Sequence, residues 1–119
     1  METISEQKQG KNLKEFTASP KEGKKHDTGK LPYDLLPFSV IDSIVRVQQF
    51  GMFKYGANNW QRVKRGKARY IAAALRHISA VQQGKRYDDE SGQPHLAHAL
   101  CSLMYAEWID QQHLKRHKK

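Results

Sequence analysis

The 119-residue chain is poor in the features that mark several large protein classes. It has one cysteine, Cys101, so it cannot form an intrachain disulfide. A crosslinked secreted scaffold is excluded. No apolar run approaches the roughly 20 residues needed to cross a bilayer, and the polar, lysine-rich N-terminus lacks the apolar core of a secretory signal. The expectation is a cytoplasmic protein with no membrane partner. No segment sustains apolar–polar alternation, which argues against a sheet-based fold, and neither a P-loop nor a dinucleotide fingerprint is present. Acidic residues are scarce as well: 12 Asp and Glu face 21 Lys and Arg, a formal net charge of +9. An anionic partner is therefore expected.

The charge is unevenly spread. Residues 31–86 hold ten basic and two acidic side chains, whereas 87–112 hold five acidic and no basic ones. One acidic segment thus interrupts a basic protein. Residues 1–25 read as a flexible basic and polar arm, preceding a single all-α domain over 26–119.

Three helices are expected, at about 38–55, 67–83 and 94–113. The first carries Val40, Ile41, Ile44, Val45 and Val47 at helical spacing, and Ser39 with Asp42 resembles a capping box. The second carries Ile71, Ala74, Leu75, Ile78 and Val81, with Gly84 as a stop. In the third, Pro94 suits the first turn, and Leu96, Ala99, Leu100, Leu103 and Met104 form the expected buried stripe. Three helices of this size bury a modest core, so a homo-oligomer is expected.

Three clusters could carry chemistry. In the acidic loop and the helix after it, Asp89 and Glu90 precede His95 and His98, which share a helix face. They could hold a divalent cation that screens phosphate oxygens, or the histidines could simply donate to loop carboxylates. On the second helix, Arg69 and Arg76 are seven apart and could grip phosphate, with His77 beside them as a half-buried residue or a participant. Near the end of the first helix, Lys54, Asn59 and Trp60 could contact a phosphate and a base; equally, Trp60 could cover the core edge. Glu107 and Asp110 read as surface carboxylates within reach of Lys115, and Cys101 as a buried thiol.

The runs Asp27–Pro37, Phe50–Trp60, Arg69–His77 and Glu90–Ala99, in this order, resemble the phage dATP/dGTP diphosphohydrolase N-terminal-domain family. The resemblance covers about residues 26–110. It implies an all-α, MazG-like nucleotide pyrophosphohydrolase that converts purine deoxynucleoside triphosphates to the monophosphate and pyrophosphate, with Mg2+ or Mn2+, in phage control of the nucleotide pool. On that resemblance Glu90, Asp89 and His77 are catalytic candidates. Asp89, Glu90, His95 and His98 are metal candidates, and Lys30, Lys54, Asn59, Trp60, Arg69 and Arg76 are substrate contacts.

One departure separates the chain from the wider MazG-like pattern, which uses an E-x-x-E pair on one helix and an E-x-x-D pair on another. The first helix here offers only Asp42, followed by Gln48 and Gln49. A non-catalytic nucleotide-sequestering protein is therefore the second reading. A basic nucleic-acid-binding protein ranks third, because no nucleic-acid motif accompanies the charge.

Overall fold

The computed structural model describes residues 21–117. Among these residues the fold is all-α: α1 spans Phe38–Tyr55, α2 Gly66–Gln82 and α3 His95–His117. Two short 3-10 turns, Tyr33–Leu35 and Asn59–Arg62, flank α1, and the one β-type contact is an isolated bridge between Tyr87 and Pro94. The chain divides at Tyr33–Asp34, with all three helices in the second unit. The arm expected over 1–25 lies outside the described residues for its first twenty positions; residues 21–25 are exposed.

The helix ends differ from expectation in instructive ways. Pro37, in extended conformation, caps α1 without any side-chain hydrogen bond, so Ser39 and Asp42 form no capping box. Ser39 is already helical, and its carbonyl accepts from the Ser43 hydroxyl. Gly51 does not break α1. At the far end, α3 runs four residues past the expected His113, and its last turn carries Lys115, Arg116 and His117, cations that suit the negative end of a helix dipole.

The α2–α3 pair forms an antiparallel hairpin: Lys67, at the start of α2, bonds Asp110 late in α3, while His77 meets His95. Small side chains let the helices approach. The fully packed positions are Val47, Ala74, Ala97, Ala99, Cys101 and Ala106, and Val47 with Ala97 and Cys101 joins α1 to α3. Gly66 leaves room for the Ile109 side chain of α3, since a Cβ there would lie 2.8 Å from Ile109 Cδ1.

Of the buried stripe expected on α3, Ala99 alone is buried. Leu96, Leu100, Leu103 and Met104 remain 39–53% exposed, while Ala97, Cys101 and Ala106 are buried. Helix α3 is apolar on several faces, and it packs through the faces with the smallest residues. On α2, likewise, Ile71, Leu75 and Ile78 stay exposed around buried Ala74.

Candidate functional site

The site lies where the middle of α2 meets the start of α3, under the loop Tyr87–Pro94. The loop is closed by backbone bonds from Asp88 to Gln93, from Gly92 to Asp88 and from His95 to Arg86, each 2.8 Å. Gly92 supplies the positive φ (73°) that the turn requires, a conformation costly for a residue with a Cβ. This frame leaves Asp88 pointing inward. Its Oδ2 accepts the amides of Glu90 (3.1 Å) and Ser91 (2.9 Å), while Oδ1 makes no hydrogen bond among the described residues.

Three imidazoles converge on that carboxylate. His77 and His95 face each other through their Nδ1 atoms at 2.8 Å, so one must donate and the other accept. His98 stacks on His77, with ring centroids 4.5 Å apart, and its other neighbour is the edge of Phe50 at 6.5 Å. The His98 Nε2 sits 2.7 Å from the Ser91 hydroxyl and 3.9 Å from Asp88 Oδ2.

Burial sets the charge state of this group. It lowers the pKa of His77, with the neighbouring His98 and His95 adding to the effect, and it lowers that of His98 despite the opposing pull of Asp88. Burial alone would raise the Asp88 carboxyl, but the Ser91 amide and hydroxyl and then His98 hold it below its ordinary value. The arrangement is a fixed carboxylate beside two imidazoles, His77 and His98, biased toward neutrality, the protonation states that a cation or a proton transfer requires.

Ligand atoms of His77, Asp88 and His95 all lie within 4.8 Å of one another. Of the four metal candidates named from the sequence, only His95 belongs to this set. His98 turns to Ser91, and Glu90 is bound at 2.5 Å by Lys54 from the end of α1. That pairing raises the Lys54 pKa, with the Glu90 hydrogen bond as its main cause. Asp89 is exposed and makes no side-chain hydrogen bond or ion pair among the described residues.

The substrate candidates scatter. Arg76 is exposed beside His77, but the Arg69 guanidinium donates to the Lys64 carbonyl in the preceding loop. Trp60 stacks on Tyr105 at 4.2 Å and meets the edge of Trp108 at 4.9 Å, so its ring packs on the core and away from the histidines. Asn59 opens the same 3-10 turn. Lys30 lies in the first unit, where its amide bonds the Asp27 carbonyl at 3.0 Å. Asp110 pairs with Lys67 rather than Lys115, and Glu107 accepts from Gln111.

Sequence reasoning missed Asp88 and the role of Ser91. The available signal was Asp88 three residues before Ser91 and four before Gly92, a spacing at which an aspartate accepts the amides of the turn that follows it.

Residues 20–118 match the family model of the dATP/dGTP diphosphohydrolase N-terminal domain. The chain belongs to this family. A dATP/dGTP diphosphohydrolase of Salmonella phage PMBT28 is 37% identical over 87 residues, a match that covers 73% of this chain and 29% of the relative. The chain thus spans less than a third of that relative's length. No solved structure matches it. The matched stretch contains every residue of the Asp88 and histidine cluster.

Proposed function

We propose that this domain takes part in the hydrolysis of purine deoxynucleoside triphosphates, dATP or dGTP, to the monophosphate and pyrophosphate. The observation that carries the reading is the family match over residues 20–118. The half-buried His77–Asp88–His98 group beside the Lys54–Glu90 pair supports it as a place where phosphate and water could be handled.

In this reading water attacks the α-phosphorus, the bond to the α–β bridging oxygen breaks, and pyrophosphate leaves. The entering triphosphate competes with Glu90 for the Lys54 ammonium. Glu90, released next to bound substrate, accepts the proton of the attacking water. Arg76 adds a phosphate contact, and His77 and His98 hold the proton network around Asp88 in place.

The resemblance brings Mg2+ or Mn2+ with it. Mg2+ is held by oxygen ligands, and here two of the three converging groups are imidazoles, so this donor set does not fit Mg2+. No step above depends on it.

The test is incubation of the purified chain with each dNTP, with and without divalent metal, followed by separation of the products. Monophosphate with equimolar pyrophosphate supports the reading. Nucleotide bound tightly but recovered intact would favour sequestration, which the chain's short coverage of its relative leaves open.

We also propose that the chain pairs with a second copy of itself through the exposed stripes Ile71–Leu75–Ile78 and Leu96–Leu100–Leu103. So small a core leaves large side chains in water, and an identical partner offers the same apolar stripes in return. Light scattering should give twice the 13.8 kDa chain mass. Leu75→Asp with Leu100→Asp should return the monomer.

No helix among the described residues is long and apolar enough to cross a membrane.

A further inference from the structure

We propose that His77, Asp88 and His95 form a binding site for one divalent first-row transition ion of the Zn2+ or Co2+ type, and that the site discriminates against Mg2+. Three independent elements supply the ligands: α2, the Tyr87–Pro94 loop and the first turn of α3. They are 11 and 7 residues apart in sequence, so only the folded hairpin brings them together. This differs from a chance run of acidic residues on one surface.

The donor chemistry selects the ion. Two imidazole nitrogens and one carboxylate suit borderline ions, whereas Mg2+ holds its waters and prefers oxygen. Bond lengths of about 2.1 Å to such an ion place neighbouring ligand atoms roughly 3.4 Å apart in tetrahedral geometry. The Nδ1 atoms of His77 and His95 are 2.8 Å apart and the whole triad lies within 4.8 Å, so side-chain adjustments of about an ångström suffice. The two Nδ1 lone pairs that now share a proton would share the ion instead.

The surrounding groups are those that orient metal ligands. Asp88 Oδ2 is fixed by the amides of Glu90 and Ser91, which holds the carboxylate beside the imidazoles with a ligand oxygen within 4.8 Å of their nitrogens. The His77 ring is held against the His98 face, and His98 is in turn anchored by Ser91. Such outer partners typically contribute about 10–100-fold to metal affinity. His98 is therefore a positioning residue, and Ser91 supports it.

The site rests on the fold alone, and its bearing on hydrolysis rests on the function proposed above. The two are separable because ion binding can be read without nucleotide. The untagged full chain is titrated with Co2+, following its visible absorption, and bound metal is counted after gel filtration. A second histidine pair on the last turns of α3, His113 and His117, has ring centroids 4.2 Å apart with the rings tilted and is a competing locus, so the titration is done in a chain carrying His113→Gln and His117→Gln.

The expected result is one Co2+ per chain, retained in millimolar Mg2+ and displaced by Zn2+. Affinity should fall by more than about 100-fold in His77→Ala and in Asp88→Asn, and by about 10–100-fold in His98→Ala. Circular dichroism checks that helix content is kept; if His77→Ala loses it, His95→Gln replaces it. Stoichiometric binding unchanged in Asp88→Asn and His95→Gln, or displacement by equimolar Mg2+, overturns the proposal. So does binding that is lost once His113 and His117 are replaced. If Co2+ binds as described and no dNTP is cleaved, the hydrolytic reading fails and the site stands. If dNTP is cleaved and no Co2+ binds, the site fails and the hydrolytic reading stands.

Discussion

At one end of the α2–α3 hairpin, Trp60, Tyr70, Tyr105 and Trp108 pack ring against ring, and Lys67 closes the edge on Asp110. At the other end the same two helices set three imidazoles around Asp88. Both ends are half-buried, yet burial acts on different chemistry. It raises the pKa of Tyr70, Tyr105 and Cys101, groups that are already neutral at pH 7 and stay so. It lowers the pKa of His77 and His98, groups whose ordinary range lies next to pH 7. The aromatic end holds the hairpin together, and the imidazole end can change its charge or gain a ligand.

The sharpest way to separate the ends is to change Glu90, at the rim of the imidazole end. Glu90→Gln removes the proposed proton acceptor and weakens the hold on Lys54. A general base contributes typically 10²–10⁴-fold, so kcat should fall by about that factor. Stability should stay nearly constant, because the pair is exposed and solvent screens it. Steady-state turnover beside urea unfolding of the same preparation checks both halves. Full turnover in Glu90→Gln would remove this residue from the chemistry.

The reverse experiment is Trp60→Ala at the aromatic end. A fully buried Trp loses about 3–5 kcal/mol on truncation, and Trp60 is partly exposed, so a loss of roughly 2–3 kcal/mol is expected. Urea unfolding measures it. Below the new melting transition, Co2+ affinity and KM for nucleotide should match the parent chain. A raised KM with unchanged stability would instead return Trp60 to the base-contacting role that its neighbourhood of amides and lysine suggests in the sequence.

Trp60 also shows where sequence reasoning runs out. The helix bounds were legible because apolar spacing, Pro37, Gly84 and Pro94 are local signals, and α1 falls on its expected residues. The packed face of α3 was not. Leu96, Leu100 and Leu103 are the more hydrophobic stripe, but close helix packing selects small side chains, and Ala97, Cys101 and Ala106 won. Within Asp88-Asp89-Glu90, composition cannot say which carboxylate turns inward; that depends on the Ser91 amide and the Gly92 turn. His77 and His95 are 18 residues apart, and their contact exists only once the hairpin has formed.

The smallest effect, and the one that reads the two ends against each other, is the acid dependence of stability. For His77 and His98 the folded-state pKa lies below the ordinary 6.5. Below pH 6.5 the unfolded chain therefore binds protons that the folded chain does not, and stability falls with pH until the depressed values are passed. Above 6.5 that contribution is fully present. Asp88 has the opposite charge but also a depressed pKa, so its contribution is kept above 3.8 and is lost only as pH falls below that value. The groups facing these rings are His95, Asp88, Arg76 and Glu90, and the tyrosines of the aromatic end do not titrate in this window. Urea midpoints between pH 8 and pH 5 should hold steady and then decline below 6.5. His98→Gln, which can still hydrogen-bond Ser91, removes one of the two titrating rings and should flatten that decline. Trp60→Ala should shift the whole curve down without changing its shape. A curve that stays flat from pH 8 to 5, or that changes shape only in Trp60→Ala, would mean that burial does not divide the hairpin in this way.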